Sequence, residues 1–285
     1  MSVIFLGGDD RQQYASDYVN GMGISSTAYI NFSFNKEIKE EIKNNRVLVF
    51  PLPTSRDDIN LNMMSRNNMP LSEIINSLNA QHLIIGGNIG SVFYDSQEKI
   101  GYKIIDYNKL ESFQIQNALL SAEGAIHYAK THFGGAIYGS RIAILGFGRI
   151  GKILAYLLKS MGANISVYAR KDQDCTWSTI IGFNAHKIQN LGVEVGSKRA
   201  GEGYDLIFNT IPQRIIGDEL AMNLSRDTVI IDLASYPYGM DQEIGEKYKL
   251  SYYRELGIPG RYAPQRAGEI IGKTVISILQ QENCL

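Results

Sequence analysis

Residues 141–170 read RIAILGFGRIGKILAYLLKSMGANISVYAR, and this stretch decides the fold of the region around it. Arg141–Leu145 is a short apolar run of strand length. GFGRIG follows at 146–151, a helical pattern runs on to about Met161, and Gly162-Ala163 turns the chain into a second run at Ile165–Ala169. The GxGxxG spacing is weak alone. Between a buried strand and a helix it is the fingerprint of a dinucleotide site. Gly146 permits the tight turn, Gly148 lets backbone approach a pyrophosphate, and Gly151 lets helix and strand pack closely. Phe147, Arg149 and Ile150 fill the fingerprint, and the helix start offers free N–H groups to phosphate. A plain strand–turn–helix with convenient glycines is the competing reading.

The end of the second run bears on the cofactor. An NAD site usually has Asp or Glu there for the ribose 2′-hydroxyl. This chain has Arg170-Lys171, two cations that suit a 2′-phosphate, so NADP is favoured over NAD. Asp172 serves the NAD reading if the strand runs longer, and both cations are surface residues if neither reading holds. Further on, Val193–Val195, Leu206–Asn209 and Val229–Asp232 read as strands. Thr210-Ile211-Pro212 and Ala234-Ser235 follow the last two, at the carboxyl edge where open α/β sheets bind ligands.

Toward the N-terminus, short apolar runs alternate with helical patterns. Val3–Leu6, Ile24–Ile30, Arg46–Phe50, Leu83–Ile85 and Lys103–Asp106 read as strands, and residues 54–69 as a long loop. Such alternation makes a parallel sheet. The fold class is therefore α/β, with two Rossmann-like parallel-sheet domains, the second a doubly wound dinucleotide-binding domain. Residues 111–133 form one long helical pattern that Gly134-Gly135 closes, read as a hinge helix. The expected division is 1–118 for a substrate domain and 119–265 for the dinucleotide domain with the hinge helix. A last helix, Ala267–Gln281 within 266–285, carries Ile270, Ile271, Val275 and Ile278 on one stripe and is expected to return to the first domain.

Gly7-Gly8-Asp9-Asp10-Arg11-Gln12 occupies a strand-to-helix turn without the GxGxxG spacing, which suits a small polar ligand; helix capping by Asp9 or Asp10 is the rival. The hinge helix offers Asn117 and Ser121 on one face, and Glu123, a general base if partly buried.

The 285 residues carry 28 basic and 29 acidic side chains, a net charge of −1. That balance gives no electrostatic footprint for nucleic acid or membrane. No apolar run approaches a membrane span. Cys175 and Cys284 lie far apart, and His127 and His132 are five apart, so neither a disulfide framework nor a metal site is expected. The chain reads as cytoplasmic.

GGDDRQ at 7–12, NALLSAEGAI at 117–126, GFGRIG, FNTIP at 208–212, IIDLASYPYG at 230–239 and LGIPGRYAPQRAGEII at 256–271 occur in order. Together they resemble the dipicolinate synthase A chain family of spore-forming Firmicutes. The resemblance implies NADP-dependent oxidation of dihydrodipicolinate to dipicolinate (pyridine-2,6-dicarboxylate) during sporulation, in the mother cell. It also implies a partner, the flavoprotein-like B chain of dipicolinate synthase. Two departures stand out: Leu120-Ser121 where the family has Pro-Thr, and Gln265-Arg266 where it has Lys-Thr. Orienting the ring and neutralising two carboxylates is the protein's task. Arg11, Ser55 and Arg56, N–H groups of Gly86-Gly87, and Asn117 and Ser121 are the substrate-binding candidates, with Glu123 or Asp9 as base. Two other readings remain open: another NAD(P)-dependent small-molecule dehydrogenase of alanine dehydrogenase-like organisation, and a non-catalytic protein that only binds NADP. Homo-oligomerisation is open too.

Overall fold

The structure is a computed structural model that describes residues 2–64, 69–192 and 203–285. The strand expected at Val193–Val195 lies outside the described residues. The chain divides into two compact units, residues 1–117 with 259–285, and residues 118–258.

The first unit holds a five-stranded parallel sheet in the order β2-β1-β3-β4-β5. Its strands are β1 (Val3–Leu6), β2 (Ser26–Tyr29), β3 (Val47–Val49), β4 (Leu83–Gly86) and β5 (Lys103–Asp106). β1, β3 and β4 are buried along their whole length, which explains their unbroken apolar runs. Helices α1 (Asp10–Gly21), α2 (Lys36–Asn44), α3 (Leu71–Ile75) and α4 (Ser91–Ile100) connect them. On α2, Ile38 and Ile42 are buried four residues apart, so one face docks and the other stays charged. No strand or helix forms over residues 54–64; isolated bridges such as Ser55 with Leu61 tie that loop.

Helix α5 (Glu111–His132) carries the chain into the second unit. There β6 (Arg141–Leu145), β7 (Asn164–Ala169), β8 (Asn184–Lys187), β9 (Leu206–Asn209), β10 (Val229–Asp232) and β11 (Ser251–Arg254) form a parallel sheet. Its order is β11-β10-β9-β6-β7-β8. Helices α6 (Arg149–Ser160), α7 (Asp172–Ile180), α8 (Asp218–Ala221) and α9 (Gln242–Tyr248) accompany them. Ala122, Ala125 and Ala129 of α5 join the core on one sheet face, with Leu154 and Leu158 of α6.

After the short α10 (Ile258–Tyr262), α11 (Pro264–Gln281) completes the first unit. Pro264 opens it at a position where no amide partner is lost. It lies close against α1: a Cβ on Gly268 would sit 2.5 Å from Tyr14 Cβ, and one on Gly272 2.9 Å from the Ala15 carbonyl oxygen. Only glycine permits that approach. Arg266, the departure in the C-terminal motif, pairs with Glu269 of the same helix at 2.6 Å. No helix among the described residues is long and apolar enough to cross a membrane.

Candidate functional site

In the second unit the strand order reverses between β6 and β9, and an open α/β sheet offers its ligand crevice at that point. A cavity of about 450 Å³ lies there. Gly146, Phe147 and Gly148 line it from the β6 turn, and Ala169, Arg170, Lys171 and Asp174 from the end of β7. Thr210, Ile211 and Pro212 line it after β9, with Gln213, Ile215 and Ile188.

Each glycine of the fingerprint has a separate physical reason. Gly146 has φ +100°, and a Cβ there would lie 2.4 Å from Thr210 Oγ1. Thr210 is itself fixed, its amide and hydroxyl both donating to the Leu145 carbonyl at 2.9 Å. Gly151 has its would-be Cβ 2.1 Å from the Gly146 carbonyl oxygen, so helix and turn are in backbone contact. Gly148 meets nothing within 4 Å on its Cβ side, and no side chain caps α6, whose first residue is Arg149. The helix start thus presents uncapped N–H groups toward open space, the geometry that accepts a phosphate. These residues fit a dinucleotide. Arg149, Ile150 and Gly151 form the first turn of α6 and do not line the cavity; nor do Ala234 and Ser235.

Ala234 and Ser235 follow a buried polar knot that sequence reasoning missed. Asp232, wholly buried at the end of β10, accepts hydrogen bonds from Asn209 Nδ2 (2.8 Å), Ala234 N (3.1 Å) and Gly239 N (2.7 Å). It also accepts one from the Tyr252 hydroxyl at 2.6 Å. Arg254 Nε donates to that hydroxyl at 3.1 Å, and its guanidinium stacks 4.3 Å from the Tyr238 ring. Burial and the Asp232 carboxylate push the Tyr252 phenol well above its ordinary range. The knot holds the loop from 233 to 240. Its signal was the pairing of polar residues with strand ends, Asn209 and Asp232 being register partners.

In the first unit the order reverses between β1 and β3. Arg11 joins the two loops that emerge there. Its Nε and Nη2 bind both oxygens of Asp9 at 2.8 and 2.9 Å, and Nη2 reaches the Leu52 carbonyl at 3.1 Å. A guanidinium has five N–H donors. The two on Nη1 make no hydrogen bond among the described residues. Burial works to raise the Asp9 carboxyl, but the hydrogen bonds and charge of Arg11 outweigh it and hold the group below its ordinary value. Asp9 also caps α1 by accepting from Arg11 N. Asp9 is thus a cap for α1 and an anchor for Arg11. Glu123 is exposed on α5, so the partial burial that a base would need is missing.

Other candidates are used differently from the expectation. The Ser55 hydroxyl is engaged by its own turn, with the Asn60 carbonyl at 2.6 Å and Asp57 at 3.0 Å. The amide of Gly87 donates to the Pro51 carbonyl at 3.3 Å, so that N–H is not free for a carboxylate. Gly86 and Gly87 are glycines for packing instead: their would-be Cβ atoms lie 2.9 Å from Thr54 Oγ1 and 2.7 Å from the Tyr107 ring. Arg56 is exposed, and its charge contributes to lowering Asp9. Asn117 and Ser121 lie one turn apart on α5, Ser121 buried.

The fold and the fingerprint define a two-unit α/β protein with a dehydrogenase-type, nicotinamide dinucleotide-binding domain. Residues 115–192 match the family described as D-isomer specific 2-hydroxyacid dehydrogenase, NAD binding domain. Residues 2–108 match the N-terminal domain family of the dipicolinate synthase A chain. The chain is related to the A chain of dipicolinate synthase. It is 28% identical over 201 residues to that protein of Bacillus subtilis (strain 168), covering 70% of this chain and 66%, just under two thirds, of the relative. The crystal structure of the dipicolinate synthase A chain from Bacillus subtilis superposes with a TM-score of 0.85 at 23% identity, covering 100% of this chain and 97% of the other. Its counterpart from Bacillus halodurans gives 0.84 at 22%, covering 98% and 97%. At these identities the two structures establish the shared fold.

Proposed function

We propose that the chain is the A chain of a dipicolinate synthase, which oxidises dihydrodipicolinate to pyridine-2,6-dicarboxylate with NADP⁺. The observation that carries the reading is the cavity at the β6–β9 reversal, built on GFGRIG and edged by Arg170 and Lys171. Bound there, the dinucleotide supplies a hydride acceptor.

The chain's own residues divide the remaining work. The uncapped start of α6 takes the pyrophosphate, and Gly148 keeps the approach open. Arg170 and Lys171 take the 2′-phosphate, Arg170 by its planar fork. Thr210, Ile211 and Pro212 form the cavity wall from β9. In the first unit, Arg11 is anchored on one edge by Asp9 and offers Nη1 to a substrate carboxylate. Arg56 adds charge nearby, and Asn117 is a further substrate contact of the same unit. Loss of one hydride and one proton makes the ring aromatic, so the proton is already activated. Neither Asp9 nor Glu123 needs to act as a strong base, and the proton passes to solvent or to a group of the flavoprotein-like partner.

That last alternative is favoured by the pairing of Asp9 and the exposure of Glu123. It is tested by following NADPH absorbance during turnover of dihydrodipicolinate, with the chain alone and with its flavoprotein-like partner. Turnover by the chain alone supports a complete active site. Turnover only with the partner assigns the chain the cofactor and the partner the missing group. No turnover in either case, with NADP or NAD, refutes the reading.

A further inference from the structure

Three cationic side chains, not two, gather where β7 and β8 end. Lys187 closes β8 and is the register partner of Ala169, the last residue of β7. Paired residues of a parallel ladder project from the same face, so Lys187 leaves the sheet on the face of Val167 and Ala169 and turns at its end toward the start of α7. Its Nζ donates to the Arg170 carbonyl at 3.3 Å and pairs with the Asp172 carboxylate. Arg170 and Ile188 line the cavity, and Lys187, between them in space, stands at its edge and not in its wall.

Asp172 is the one carboxylate within three residues of the end of β7. It is therefore the nearest candidate for reading a ribose 2′-hydroxyl, and a lysine already holds it. Its side chain is 92% exposed, whereas that of Lys187 is 34% exposed. An ion pair whose acid is so open to water is weak and easily exchanged. The lysine, fixed by the backbone of Arg170, is the preorganised half.

We propose that Lys187 is a third cation of the subsite for the adenosine 2′-phosphate, and that Asp172 holds its ammonium until that phosphate replaces the carboxylate. The proposal rests on the reading of this cavity as an NADP site. The two exposed cations, Arg170 and Lys171, supply charge on long, mobile stems. Lys187 supplies a charge whose position is set by the sheet. Replacement of a carboxylate by a phosphate on one ammonium exchanges like for like, and Asp172 turns out to solvent at little cost.

The test is calorimetric titration of the full chain with adenosine 2′,5′-bisphosphate and adenosine 5′-monophosphate, which differ only in the 2′-phosphate. Lys187→Gln should weaken the bisphosphate about tenfold, the loss of one charged hydrogen bond, and move the monophosphate less than about twofold. Lys187→Arg should retain the preference, and Asp172→Asn should strengthen the bisphosphate severalfold by removing the competing anion. If the unaltered chain prefers the bisphosphate and Lys187→Gln leaves that preference unchanged, Lys187 is outside the subsite although the NADP reading stands. Equal losses for both ligands mean a general disturbance of the cavity and also overturn the proposal. If the unaltered chain shows no preference, the NADP reading itself fails and takes the proposal with it.

Discussion

Asn209 donates from Nδ2 to Oδ1 of Asp232 at 2.8 Å, both side chains wholly buried at the carboxyl ends of adjacent strands. Asp232→Ala takes the acceptor from an N–H of Asn209 Nδ2 and from the amides of Ala234 and Gly239, all buried, while the Tyr252 hydroxyl keeps the Met240 carbonyl at 2.9 Å. Each buried donor left unmet costs about 1–3 kcal/mol, so the total loss should exceed about 3 kcal/mol. Tyr252→Phe removes one donor and should cost about 1–3 kcal/mol. Urea unfolding followed by far-ultraviolet circular dichroism measures both. A change below about 1 kcal/mol for Asp232→Ala would show that the knot is not holding the loop.

Two glycines of one motif should fail in different ways. Gly148→Asp has room for its side chain, so the protein should fold and lose dinucleotide binding, because the carboxylate enters the space for phosphate. Gly151→Ala puts a Cβ 2.1 Å from a backbone oxygen, so it should lower the melting temperature even without ligand. Calorimetry and thermal scans on both variants separate the two effects. Unchanged NADP affinity in a folded Gly148→Asp protein contradicts the site assignment.

Arg170→Ala should weaken NADP about ten- to a hundredfold, the range for a charged hydrogen bond, while NAD changes little. Fluorescence titration with each cofactor provides the ratio. Equal losses would mean that Arg170 does not meet the 2′-phosphate.

Asp9 gives a pH signature with a definite sign. Its folded carboxyl lies below the ordinary 3.8, so its contribution to stability is present above that value and is lost as pH falls through the folded value. The melting-temperature difference between the parent chain and Asp9→Asn should be constant above pH about 5 and should narrow below about 4. A difference that widens on acidification would contradict the ion pair with Arg11.

Gly268→Val drives a branched side chain into Tyr14 Cβ and the Arg11 carbonyl oxygen, the latter 2.6 Å from the Cβ position. Overpacking of this kind costs about 1–3 kcal/mol. Because the strain falls on the first turns of α1, carboxylate binding at Arg11 should weaken along with stability. Titration with pyridine-2,6-dicarboxylate checks the coupling, and intact binding would separate α11 from the site.

Most strands that the sequence displays are those the sheets bury, although β2 and β5, the edges of the first sheet, are legible too. β1, β3, β4, β6, β9 and β10 read as apolar runs because helices or neighbouring strands cover both faces. β8, with Asn184 to Lys187, and β11, with Ser251 to Arg254, are passed over by that criterion. Both are edge strands of the second sheet, partly open to water, and carry no apolar run. The fingerprint glycines are legible because their backbone demands leave no other residue. The fates of Ser55 and Gly87 are not, and the cap at Asp9 is legible only as one of two readings, because a side chain or amide that suits a ligand suits a turn or a cap equally well, and only the fold chooses. Lys187 is hidden for the same reason as its strand.

The contact between α1 and α11 spans 268 − 14 = 254 residues from Tyr14 to Gly268, with the whole second unit inserted between them. On the ribosome, residues 118–258 therefore emerge complete before the first unit has all its parts. The side of α1 that carries Tyr14, Ala15 and Tyr18 has no helix to cover it until α11 is made. Closing so long a chain segment would be slow if it were a free coil. A folded insert shortens the search by replacing a flexible loop with a compact body. The two units thus mature in nested order, the inner one first, and the outer one is finished only when it shuts around its own last helix.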